Sequence, residues 1–89
     1  MPTRSVAIAS SVGLHARPAS LFVQAVSATG LPVTIAKGSG APVDSRSILM
    51  VMALGAKKDE VVVLSAEGEG ADAALNALVE LLSRDLDAE

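Results

Sequence analysis

The stretch Gly13-Leu14-His15-Ala16-Arg17-Pro18 holds the one histidine of the chain. It stands where a loop that follows a strand runs into the start of a helix, and that position has specific chemistry. Neutral imidazole is a competent nucleophile towards a phosphoryl group, and the Arg17 guanidinium, two residues on, matches phosphate oxygens with its planar fork. First-turn amides at Ala16 and Arg17, together with the positive end of the helix dipole, make an anion cradle. Pro18 has no N–H to leave unpaired and holds the first turn in shape. The same spacing also suits a loop histidine that satisfies a backbone carbonyl beside a solvated arginine. Spacing alone leaves both readings open, and what weighs for chemistry is how few other reactive groups the chain has.

A second feature is Ser47-Ile48-Leu49-Met50-Val51-Met52-Ala53-Leu54. Two helical turns can bury one stripe, yet five bulky apolar residues run round this whole circumference. With Val51 and Leu54 inward, together with part of Ile48 or Met50, Leu49 and Met52 are left towards solvent, and methionine suits an adaptable contact. This reads as a docking surface; the competing reading buries the helix on both sides. Ser47 is an ordinary N-cap candidate, in competition with Asp44 and Ser45. A phosphate on it would meet the helix dipole and put about two negative charges beside the apolar surface. Lys57-Lys58-Asp59-Glu60 reads as a solvated turn without function.

These features need elements to position them, and 89 residues provide one small domain, 1–89, with one core. The chain is 51% apolar and 19% charged, a globular balance. Phe22 is the only aromatic residue, which argues against stacking on bases or sugars. A net charge of −3 disfavours nucleic acid and anionic lipid as partners. With no cysteine and one histidine an all-protein zinc site is close to excluded, and no cofactor is expected. The longest apolar run, Ile48 to Leu54, is far short of the roughly 20 residues that span a bilayer, so the chain reads as soluble and cytoplasmic.

Alternation predicts strands over Arg4–Ala9 and Val33–Ala36, a brief edge strand over Ala41–Asp44, and a central strand over Glu60–Ser65 that is apolar on both faces. Helical spacing predicts Pro18–Ala28 capped by Gly30, Ser47–Leu54 closed by Gly55, and Ala71–Leu86 with Leu75, Leu78, Val79, Leu82 and Leu86 on one face. Three helices that must bury against one small sheet give an α+β open-faced sandwich, in the order βαββαβα.

With those elements in place, Gly-Leu-His-Ala-Arg-Pro-Ala-Ser at 13–20 closely resembles the active-site signature of HPr, the histidine-containing phosphocarrier family of the phosphoenolpyruvate-dependent sugar phosphotransferase system (PTS). Ser47-Ile48 with Val51-Met52-Ala53-Leu54-Gly55 resembles the second helix of that family, and Ala73 to Leu78 its third, so the likeness covers essentially the whole chain. The resemblance implies a four-stranded antiparallel sheet with three helices on one face. It implies that His15 accepts phosphate on Nδ1 from phosphorylated enzyme I and passes it to an enzyme IIA domain, with Arg17 and the amides of Ala16 and Arg17 holding the group. Ser20, Gln24, Ile48, Leu49 and Met52 would form the face both partners share. The protein would be a monomeric carrier rather than a catalyst, with Ser47 as a target for an HPr kinase/phosphorylase. Arg46 stands where lysine is common and Met50 where glycine is frequent. The alternative is a regulatory module of the same fold that docks on enzymes or transcription factors and carries no transport flux.

Overall fold

The computed structural model describes residues 2–38 and 40–84. The elements in chain order are β1 (Thr3–Ala7), α1 (Ala16–Thr29), β2 (Val33–Lys37), β3 (Val43–Asp44), α2 (Ile48–Ala53), β4 (Val61–Ala66) and α3 (Ala71–Leu82). The strands form one four-stranded sheet in the order β1-β4-β2-β3, antiparallel throughout. The β-branched run of β4 takes the central place expected of it, with Val6 opposite Val62 on one side and Ile35 opposite Leu64 on the other.

Side chains alternate along a strand, so this register sorts the sheet into two faces. Val6, Val33, Ile35, Val62, Leu64 and Ala66 line the buried face. Phe22 and Val26 of α1, Val51 of α2, and Leu75, Leu78 and Leu82 of α3 close over it in a single core. The other face carries Thr3, Ser5, Thr34, Val61, Val63 and Ser65, and among the described residues no helix lies over it, so Val61 is 48% exposed. The expectation that β4 is apolar on both faces holds for its sequence, but only one of those faces is in the core. A single helical layer is the reason.

Boundaries differ from the sequence reading at several ends. Strand β1 stops at Ala7 rather than Ala9, and Ile8 is buried just beyond it. Helix α1 begins at Ala16, two residues before Pro18, because a proline anywhere in the first turn forgoes an N–H that has no acceptor there. It runs one residue past the expected Ala28, to Thr29, and its cap is as expected: Gly30 at φ 69° donates its N–H to Ser27 O, a left-handed cap. The edge strand β3 is only two residues long, since Pro42 cannot donate to a ladder. Helix α3 ends at Leu82 with Ser83 as its C-cap rather than continuing towards Leu86, and Leu86 itself lies outside the described residues. Arg4 fastens α3 to β1, with its guanidinium on Asp72 at 3.0 Å and Asn76 at 3.1 Å.

Candidate functional site

His15 is the N-cap of α1, in extended backbone (φ −142°, ψ 155°), and its side chain caps none of the helix amides. The ring is thus exposed at the positive end of a 14-residue helix rather than spent on the backbone. Ala16, the next residue, has φ 49°, a left-handed conformation that costs an L side chain about 1–2 kcal/mol. Nothing in an alanine marks such a position in sequence. Arg17 is exposed, and Arg17, Ser20 and Gln24 follow at spacings of three and four along one side of α1. Gln24 Nε2 donates to Ser20 Oγ at 3.2 Å, which ties the two candidate contact residues together.

The loop before His15 is built on the loop that leaves α2. Leu14 is buried, and its N–H donates to Ala56 O at 2.8 Å. Gly13 has φ 73°, and a Cβ there would meet Ala56 O at 2.5 Å and Lys57 Cα at 2.8 Å. Only glycine fits that contact, so the glycine two residues ahead of the histidine fixes where the histidine starts. Val12 is 50% exposed in the same loop, an apolar side chain that no periodicity in the sequence marks.

Helix α2 packs beside α1. Ser47 is its N-cap, and Ser47 Oγ accepts from the Met50 N–H at 3.3 Å. Arg46 bonds Asp44 through its side chain and its amide, and these hydrogen bonds hold the Asp44 carboxyl below the usual carboxylate range. Ile48, Leu49 and Met50 are 40%, 76% and 44% exposed, whereas Val51 is buried. Met52, expected towards solvent, is instead half-buried against the core, and Met50 takes the exposed place. An all-apolar helix gives periodicity no phase, so the sequence could not decide between the two methionines. Among the described residues no group of three or more His, Cys, Asp or Glu is placed to hold a metal ion, and no helix is long and apolar enough to cross a membrane.

Fold and site define an open-faced α+β sandwich that presents one exposed histidine at a helix N-terminus. A family model described as PTS HPr component phosphorylation site matches residues 2–84. The phosphocarrier protein HPr of Streptomyces coelicolor is 51% identical over 98% of this chain and 94% of its own length. That of Pseudomonas aeruginosa is 40% identical over 98% of this chain and 97% of its own. A crystal structure of HPr-C-His from Thermoanaerobacter tengcongensis superposes with a TM-score of 0.90 at 37% identity, covering 100% of this chain and 99% of the other. The chain belongs to the PTS HPr family.

Proposed function

We propose that the chain is the phosphocarrier of a phosphoenolpyruvate-dependent sugar phosphotransferase system, with His15 as the residue that carries the group. The observation that supports this most is the placement of His15 as an N-cap whose ring is exposed and makes no cap hydrogen bond. In the forward step the lone pair of Nδ1 forms a bond to phosphorus. The bond from phosphorus to the donor, phosphorylated enzyme I, breaks with its electron pair going to the donor. The second step runs the same exchange towards an enzyme IIA domain, so His15 ends unchanged and the protein is a carrier rather than a catalyst. The Arg17 guanidinium and the amides of Ala16 and Arg17 lie next in the chain to His15 and suit the charge of the group. The exposed residues Ile48, Leu49 and Met50, with Ser20 and Gln24 on the neighbouring helix α1, suit weak and interchangeable docking. Ser47 at the start of α2 is the candidate for a serine kinase. The reading places one such domain over 1–89, as a monomer in the cytoplasm.

Intact-mass analysis after incubation with enzyme I, magnesium and phosphoenolpyruvate tests this. One added phosphoryl group, lost on brief acid treatment and absent in His15→Ala, is the expected result, since a phosphoramidate is acid-labile. Acid-stable label would point to Ser47, and no label with an active enzyme I would favour the regulatory module.

A further inference from the structure

One peptide group, between Ala56 and Lys57, is held at both ends. Its carbonyl accepts the Leu14 N–H at 2.8 Å, and its N–H donates to Glu60 Oε1 at 2.9 Å. A trans peptide is planar, with these two groups pointing in opposite directions, so fixing one fixes the other. Glu60 completes the turn by donating its own N–H to Lys57 O at 3.0 Å. Its second oxygen, Oε2, lies 3.3 Å from Lys37 Nζ at the end of β2, and Lys37 Nζ also reaches Gly55 O at 3.4 Å. The Lys57 N–H, against the opposing effect of partial burial and with Lys37 assisting, holds the Glu60 carboxyl below the ordinary carboxylate range. Ile8 joins the same turn from the other side, donating to Glu60 O and accepting from the Asp59 N–H.

We propose that Glu60 is a positioning residue for His15. It acts through the Ala56–Lys57 peptide: the carboxylate aims that peptide, the peptide carbonyl anchors Leu14, and Leu14 sets the backbone from which His15 is presented. The hydrogen bond to Lys57 carries the effect, and the ion pair with Lys37 steadies the carboxylate. An exposed ion pair alone contributes little to a fold. A charge-assisted bond to a peptide that also carries the anchor of the site contributes geometry.

The proposal rests on the phosphocarrier reading, and its test separates the two. Wild type, Glu60→Ala, Glu60→Gln and Lys37→Met are compared for phosphorylation by enzyme I and phosphoenolpyruvate. In parallel, NMR follows hydrogen exchange of the Leu14 amide and the shifts of the His15 ring. Glu60→Ala is expected to keep the strand amide pattern yet lower the limiting rate of His15 phosphorylation about tenfold, with the half-saturating concentration changed less than about twofold. Faster Leu14 exchange and displaced His15 ring shifts should accompany it. Glu60→Gln keeps an acceptor for the Lys57 N–H and should restore most of the rate, and Lys37→Met should lose only a small part. Wild-type limiting rate, Leu14 exchange and His15 shifts in Glu60→Ala overturn the proposal. So does a Glu60→Gln variant as impaired as Glu60→Ala, which would assign the effect to charge. If wild type itself takes no phosphate, the phosphocarrier reading fails, and Leu14 exchange with the His15 shifts still decides whether Glu60 positions the loop.

Discussion

Among the described residues, Ala16 and Asp59 are the non-glycine residues at positive φ, 49° and 71°. Their chemistry separates them. Asp is among the side chains that tolerate a left-handed backbone, and Asp59 turns a tight loop in which its N–H reaches Ile8 O at 2.7 Å. Ala16 has no such excuse and sits beside the candidate phosphoryl acceptor, where local strain concentrates in many proteins. At Ala16 glycine relieves the strain but loses more chain entropy on folding, leaving a net gain of roughly 0.5 kcal/mol, or about 3 °C in melting temperature, whereas at Asp59 there is little strain to relieve and the entropy loss offsets it. Calorimetry should therefore show Ala16→Gly melting slightly higher than wild type and Asp59→Gly no higher. Ala16→Gly should in addition slow His15 phosphorylation several-fold, because it loosens the backbone one residue from the ring. The sequence made His15 and Arg17 legible as candidates, since a lone histidine between a loop glycine and a first-turn proline is a local pattern, but not the contact of Gly13 with Ala56. It could not reveal the φ of Ala16, which alanine does not signal. Glu60 read as part of a solvated turn because Lys37, Ile8 and Leu14, which give it meaning, are remote in the chain.

Among the elements, α2 separates docking from packing most sharply. Leu49 is 76% exposed and Met52 is half-buried against the core. Leu49→Glu should leave the melting temperature within a degree or two of wild type and weaken association with enzyme I at least about tenfold, as expected when a charge enters an apolar contact. Met52→Glu should lower stability by roughly 1–3 kcal/mol, because it brings a carboxylate against the core. Titration calorimetry with enzyme I, read beside thermal melts, distinguishes the two; equal binding by wild type and Leu49→Glu would remove α2 from the docking face. Element types and order were legible because α1 and α3 have clean helical spacing, β2 and β4 carry β-branched runs, and Gly30 marks a cap. The facing of α2 was not, since a six-residue helix that is apolar all round takes its orientation from its neighbours.

Across the whole molecule, acid should act through carboxylates whose partners lower their pKa. Asp44 is held down by the side-chain and backbone hydrogen bonds of Arg46, and Glu60 by the Lys57 N–H with help from Lys37. A group depressed in the folded state contributes stability above its unfolded pKa, about 4 for these side chains, and loses it as pH falls through the folded value. Melting temperature should thus decline below about pH 4, and the Asp44→Asn, Glu60→Gln double variant should show a shallower decline over the same range. An unchanged slope in the double variant would assign the acid response to other groups. The strand order has a consequence of another kind. Thr3 pairs with Ser65 and Ala7 with Val61, so the first strand waits for the last before its ladder can close. Leu14 likewise waits for Ala56. Contacts so distant along the chain form late and slow folding, since the intervening loop must be ordered before they are gained. A nascent chain released before residue 56 therefore carries the complete Gly13–Pro18 signature without the backbone that presents it. During refolding, competence to take up phosphate should return only with the final cooperative phase, which makes phosphorylation a count of finished molecules.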